Sequence, residues 1–99
     1  MDRSRTVQWR TELPRYYFHT QNGERVRDEQ GEDLSDLDAA REEAVTILGE
    51  ILRYRGATFW TTGSFSVIVT DEAGNAVVSI TATASEQMPA GWTLAEAGG

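Results

Sequence analysis

The sequence predicts an α+β fold in ββαββ order, with an antiparallel sheet of about four strands and one long helix packed on one face. Two patterns predict it. Around Tyr16 and again around Val67, apolar and polar side chains alternate with a period of two, which is typical of strands. Between Leu37 and Arg55, apolar side chains instead recur every three to four positions, which is typical of an amphipathic helix.

The first two strands are expected to form a hairpin. Residues 15–20 make an aromatic-rich strand, and Asn22-Gly23 suits a tight turn because both residues tolerate positive φ. The return strand, residues 24–28, is polar apart from Val26, which is typical of a protected sheet edge. Residues 32–34 are the only candidates for a further, rudimentary strand before the helix.

The helix is expected to run from Leu37 to Arg55. Ser35 or Asp36 can cap its first free amides, and Gly56 is expected to end it in a left-handed conformation. Its apolar side chains cover about half of the helical wheel. They are Leu37, Ala40, Ala44, Val45, Ile47, Leu48, Ile51, Leu52 and Tyr54.

A second hairpin follows the helix, with strands at residues 65–70 and 76–83. The connector before it, residues 57–64, carries Phe59 and Trp60, which we expect to close one end of the core. The sheet face away from the helix is the candidate interaction surface. Its members are Tyr17, His19, Ile68, Thr70, Val77 and Thr81.

Residues 26–31 and 69–74 share the pattern Val-x-Asp-Glu-x-Gly. A duplicated hairpin would produce such a repeat. Asp and Gly at these offsets are also what a type I turn with a glycine bulge requires, so we interpret the pattern as turn chemistry.

The length of 99 residues suits one domain, which we place at residues 14–84. Residues 1–13 are expected to be a flexible extension, and residues 85–99 a loosely ordered tail.

Composition excludes several function classes. The net charge is −7, with nine arginines and no lysine, so the chain lacks the cationic face that nucleic acids require. Without cysteine there is no disulfide, thiol nucleophile or cysteine-based zinc site. No apolar run is long enough for a membrane span or a secretory signal, so we expect a cytoplasmic protein.

No reaction is specified by the motifs, and we predict no catalytic, cofactor-binding or metal-binding residues and no small-molecule ligand. His19, the only histidine, is a possible proton acceptor beside Tyr17. An acidic run offers oxygen ligands but lacks the spacing of a calcium loop, and we assign it to turns and helix capping. It comprises Asp28, Glu29, Glu32, Asp33, Asp36 and Asp38.

From Pro14 to about Ala84 the chain resembles a bacterial family of small uncharacterised proteins, a domain of unknown function. The matching residues are Pro14-Arg15-Tyr16-Tyr17-Phe18-His19, Asp28-Glu29-Gln30-Gly31, Leu34-Ser35-Asp36-Leu37, Ala40-Arg41-Glu42-Glu43-Ala44 and Val69-Thr70-Asp71-Glu72-Ala73-Gly74. The resemblance implies a shared fold and no established activity. Leu13 stands where members of that family begin, and some leucine codons start bacterial proteins, so we hypothesise that the natural chain begins at residue 13. A weaker likeness, of topology only, links the chain to antitoxin domains of the HicB type.

These observations favour a small interaction or regulatory module without catalytic activity, which forms a homodimer or docks a protein. An antitoxin-like protein that neutralises a basic ribonuclease is the alternative, because the surface is acidic. A small enzyme that uses His19 and Tyr17 is the third hypothesis.

Overall fold

A computed structural model describes residues 13–86 and Gly91. It confirms the α+β class and the ββαββ order, with short elements added on both sides of the long helix. The strands are β1 (Arg15–Gln21), β2 (Arg25–Val26), β3 (Glu32–Asp33), β4 (Ser64–Thr70) and β5 (Ala76–Thr83). The helices are α1 (Leu37–Tyr54) and α2 (Gly56–Thr62).

The sheet is antiparallel, with its strands in the order β2-β1-β4-β5. β2 pairs with the end of β1 at Thr20 and Gln21, whereas β3 pairs with its beginning at Arg15 and Tyr16. The predicted return strand over residues 24–28 was therefore too long. The chain leaves the ladder after Val26 because Asp28 bonds to β1 in a different way, described below.

The core lies between the sheet and α1. Alternate residues of β1 and β4 point into it, as the period of two predicts, and they meet a narrow stripe of α1. Its buried members are Tyr16, Phe18, Phe65, Val67, Val69, Ala40, Ala44 and Leu48. The two alanines let the helix backbone approach the sheet closely.

Three residues of the predicted apolar half of the helical wheel of α1 are exposed. Leu37, Val45 and Tyr54 are 37%, 56% and 74% exposed, respectively. The buried stripe follows a spacing of four residues through Ala44 and Leu48. Val45 is turned by about 100° from Ala44 and so lies off that stripe.

The start of α1 is as predicted, and its last residue, Tyr54, lies within one residue of the predicted end at Arg55. The predicted means of ending it is wrong. The Asp36 side chain accepts a hydrogen bond from the Ala39 N–H over 2.9 Å, which makes Asp36 the N-cap. Gly56 is not a left-handed terminator, because it opens α2. The left-handed residue is Gly63, with φ of 89°, and its N–H bonds to the carbonyl of Phe59.

The predicted connector is thus mostly helical, and only one of its aromatics reaches the core. Phe59 packs edge-on against Phe65, with ring centroids 5.4 Å apart. Trp60 is 57% exposed, so its assignment to the core was wrong. Adjacent residues of a helix point about 100° apart, and α2 turns one of them inward.

None of the helices in residues 13–86 is both long and apolar enough to cross a lipid bilayer. The predictions of a flexible extension and a loosely ordered tail fall almost entirely outside the described residues.

Candidate functional site

The open face of the sheet carries a cleft of about 640 Å³. Its floor is formed by four members of the candidate interaction surface, which sit opposite one another in the ladder. Tyr17 pairs with Thr70, and His19 pairs with Ile68. Each of the four is partly exposed. Neighbouring positions of two central strands thus bring the predicted residues together.

The other two predicted members lie apart from the cleft. Thr81 belongs to β5, and its hydroxyl is 2.8 Å from the hydroxyl of Ser66 on β4. Val77 lies near the β4–β5 turn and is 38% exposed. Both are on β5, the strand beyond β4, whereas the residues of the cleft floor lie on β1 and β4.

Two loops form the walls of the cleft, and both are rich in charge. The segment from β2 towards β3 contributes Arg25, Arg27, Asp28 and Glu29. The β4–β5 turn contributes Asp71, Glu72 and Gly74. Four carboxylates and two guanidinium groups therefore surround a floor that carries one aromatic ring, one imidazole and one aliphatic side chain.

Asp28 attaches the first wall to the sheet. One carboxylate oxygen, Oδ2, accepts a hydrogen bond from the Phe18 N–H of β1 over 3.0 Å. The other, Oδ1, accepts from the N–H groups of Gln30 and Gly31, at 3.1 and 3.2 Å. The side chain thus fills the gap between β2 and β3 along β1 and gives an edge amide the acceptor that a neighbouring strand would otherwise supply.

The environment of Asp28 favours its ionised form. Burial opposes ionisation and is the largest single influence, but the hydrogen bonds from the N–H groups of Phe18, Gln30 and Gly31 favour the carboxylate, and the net effect favours ionisation. The pKa of Asp28 is therefore lowered from its ordinary value of 3.8. A carboxylate at neutral pH keeps all three amide bonds.

His19 makes a hydrogen bond through each of its ring nitrogens. The backbone N–H of Asp28 donates to Nδ1 over 3.0 Å, and Nε2 lies 2.9 Å from the hydroxyl oxygen of Thr70. A backbone amide can only donate, so Nδ1 must be the unprotonated nitrogen. The neutral ring then carries its proton on Nε2 and donates it to Thr70.

This tautomer is the opposite of the one that hydroxyl activation requires. In a hydrolase triad a carboxylate holds the proton on Nδ1, which leaves Nε2 free to take the proton of the nucleophilic hydroxyl. Here a backbone donor occupies Nδ1, and Nε2 already holds a proton that points at Thr70. His19 therefore links the wall to the floor, and its geometry does not make it a general base for Thr70.

The acidic run is distributed among structural contacts. Asp36 caps α1, and Asp33 pairs with Arg15, whose Nε lies 3.0 Å from Asp33 Oδ1. Arg15 also donates to the carbonyl of Gln30, which anchors the same wall from its other side. Within residues 13–86 no group of three or more histidine and acidic side chains is arranged to hold a metal ion.

Sequence reasoning missed the concavity of this face. The strand pattern identified the floor, whereas the walls depend on a loop that folds back over β1. The signal was present in the pattern of residues 26–31, where the aspartate that makes a turn also bonds to a distant strand. Nothing local to the pattern distinguishes those two uses.

The model of a family described as a domain of unknown function (DUF6894) matches residues 15–83, which contain the five strands and two helices described above. This confirms the expected membership of an uncharacterised family, and the HicB-type likeness stays a hypothesis. No curated protein and no solved structure has a significant match to the chain.

Proposed function

Because the chain belongs to the DUF6894 family, whose description names no activity, we propose a function from the cleft itself: it docks a segment of a protein partner. One observation carries the proposal. The imidazole of His19 is engaged by Thr70 and by the Asp28 N–H, while the side chains of Tyr17 and Ile68 stay partly exposed inside a charged rim. An apolar centre within a polar rim is the usual anatomy of a protein interface.

The charges of the rim favour a partner segment with net positive charge. Glu29, Asp71 and Glu72 line the cleft together with Asp28, against two arginines. Carboxylates in excess attract lysine and arginine side chains and repel acidic peptides, which gives specificity and a faster encounter. The overall charge of −7 acts in the same direction.

The alternative of an enzyme that uses His19 and Tyr17 is less well supported. Proton transfer needs a ring nitrogen that is free to accept. Nδ1 is occupied by the Asp28 amide, and Nε2 faces Thr70 as a donor. Binding uses the exposed surfaces of the floor and leaves these hydrogen bonds intact.

The test is affinity capture of the tagged full chain from its native host, with two variants of matched chemistry. Ile68→Glu places a carboxylate on the cleft floor. Val45→Glu places the same group on α1, where the side chain is 56% exposed and outside the cleft. We expect the wild type and Val45→Glu to retain one stoichiometric protein, and Ile68→Glu to retain it at least tenfold less. Circular dichroism checks that both variants are folded.

Retention of the same protein by all three chains would place the partner elsewhere, and recovery of no stoichiometric protein would refute docking. If the captured partner is a basic ribonuclease, the antitoxin alternative names the specific role. If the captured protein is a second copy of the chain that Ile68→Glu releases, the face is a homodimer interface.

A further inference from the structure

The two outer edges of the β1–β4–β5 ladder differ in which groups bond to them. The outer edge of β1 is occupied by β2, by the Asp28 carboxylate and by β3 in turn. Among residues 13–86 nothing comparable covers the outer edge of β5, which pairs only with β4. β5 is also the longest strand of this part of the chain, with eight residues.

The register shows which backbone groups β5 presents at that edge. The Ala84 N–H bonds to the Gly63 carbonyl over 2.9 Å, which continues the β4–β5 ladder by one pair. In an antiparallel ladder, pairs that exchange hydrogen bonds alternate with pairs that do not. Every second residue before Ala84 therefore bonds to β4, and Ile80 is one of them. Ser79 and Thr81 lie between these residues and direct their N–H and C=O groups outward.

The side chains of β5 do nothing to protect these groups. Sheets usually guard an edge with a charge, a proline, a short strand or a covering segment. β5 reads Ala-Val-Val-Ser-Ile-Thr-Ala-Thr, with no charged residue and no proline. A bulge at Val69/Thr70 disturbs only the beginning of its ladder.

We propose that β5 pairs antiparallel with β5 of a second copy of this chain, so that the two sheets become one. A second copy presents the same edge in a matching register. Because β5 carries no charged side chain, two copies that pair along it bring no like charges together at the contact, although each chain has a net charge of −7. A two-fold axis near Ser79 also sets Val77 opposite Thr81, so β-branched side chains face each other.

This arrangement fixes the geometry of the dimer. A two-fold axis between antiparallel edge strands runs perpendicular to the sheet. Both copies of α1 therefore lie on one side of the joined sheet, and both clefts open on the other side. The inference does not rest on the proposed docking function, since the edge and the cleft floor share no residue.

The experiment measures the mass of the full chain in solution over a range of concentrations, by sedimentation equilibrium. Ser79→Pro removes one outward N–H and spares the ladder to β4, because proline is tolerated on an edge strand where its nitrogen faces outward. We expect the wild type to reach twice the chain mass of 11.0 kDa. Ser79→Pro should remain at 11.0 kDa, with the circular dichroism of the wild type.

A second pair of variants covers the case in which Ser79→Pro fails to fold. Ser79→Asp places like charges near each other across the two-fold axis, and Thr46→Asp adds the same charge on the exposed side of α1. The proposal predicts a monomer for the first and a dimer for the second. Ile68→Glu should also remain a dimer, which separates this interface from the open face.

A wild type that stays at the monomer mass at every concentration would overturn the proposal. So would a dimer that persists in folded Ser79→Pro or Ser79→Asp, or one that Ile68→Glu dissociates.

Discussion

The pattern Val-x-Asp-Glu-x-Gly occurs in two turns of this molecule, and the two turns use it differently. In residues 69–74 it closes the β4–β5 hairpin. Oδ1 of Asp71 accepts from the N–H groups of Ala73 and Asn75, and the Asp71 N–H bonds to the Asn75 carbonyl. Every one of these bonds stays within five residues.

In residues 26–31 the same aspartate position reaches beyond its turn. Oδ1 of Asp28 again makes the local bonds, but Oδ2 accepts from Phe18, and the Asp28 N–H donates to His19 on the floor of the cleft. One local pattern therefore serves either to join two strands or to hold a loop against a third strand. The second use builds a wall of the cleft and sets the tautomer of His19.

The glycines of the two turns provide the largest contrast. Both have positive φ, 72° for Gly31 and 90° for Gly74. A Cβ at Gly31 would lie 2.8 Å from Cε2 of Tyr17 and 2.9 Å from the Tyr16 carbonyl oxygen, whereas nothing lies within 4 Å at Gly74. Gly74→Ala should cost about 1–2 kcal/mol for left-handed backbone. Gly31→Ala should cost about 2–5 kcal/mol, because overpacking is added.

Urea denaturation of the wild type and both variants measures the two losses. Equal losses would mean that residues 28–31 do not lie against β1 as described.

The losses in free energy of unfolding on replacing the two aspartates should differ in the same direction as those of the glycines, but by less. Asp28→Ala removes acceptors from three amides, one of them in the sheet, and should lower the free energy of unfolding by about 2–3 kcal/mol. Asp71→Ala removes two bonds within an exposed turn and should cost about 1 kcal/mol. Thermal unfolding of both variants at neutral pH provides the comparison, and a larger loss at Asp71 would contradict it.

The smallest expected effect is the change in the free energy of unfolding at low pH, which tests whether Asp28 is ionised in the folded protein. Because the folded pKa of Asp28 lies below 3.8, the stability that its carboxylate contributes is complete above that pH and is lost as the pH falls through the folded pKa. The stability difference between the wild type and Asp28→Asn should therefore shrink as the pH falls below 3.8. A difference that grows in acid would contradict the assignment.

Glu43 provides a control because its effect on stability should depend on pH in the opposite direction. Burial, together with the charges of Glu32 and Glu50, raises the pKa of Glu43 above 4.5. Its ionisation thus costs stability as the pH rises, so Glu43→Gln should stabilise the protein at neutral pH and lose that advantage in acid. Urea denaturation at several pH values measures both variants in one series.

Much of the fold follows from local patterns. Alternation along β1 and β4 predicted the inward residues Tyr16, Phe18 and Val67 correctly, and the position of Asp36 predicted the N-cap. The role of Gly56 after α1 did not follow, because glycine suits both a terminator and the first residue of a new helix. Tertiary packing of Phe59 against Phe65 decides in favour of the second.

For a similar reason, the sequence predicted the residues of the cleft floor but not the walls. Strand parity placed Tyr17, His19, Ile68 and Thr70 on one face, because parity depends only on spacing along the chain. The walls depend on hydrogen bonds between residues nine or ten positions apart. The Phe18 N–H donates to the Asp28 carboxylate, and the Asp28 N–H donates to the His19 ring. No periodicity encodes such bonds.

The two hydrogen bonds of His19 hold the wall of the cleft to its floor and leave neither ring nitrogen free to act as a base. Long-range ¹H–¹⁵N correlation spectra of the imidazole measure its tautomer directly in the folded protein. We expect a neutral ring with the proton on Nε2 and an unprotonated Nδ1 that accepts from the Asp28 N–H. A ring protonated on Nδ1, with an unprotonated Nε2 facing Thr70, would overturn this assignment and restore the catalytic hypothesis.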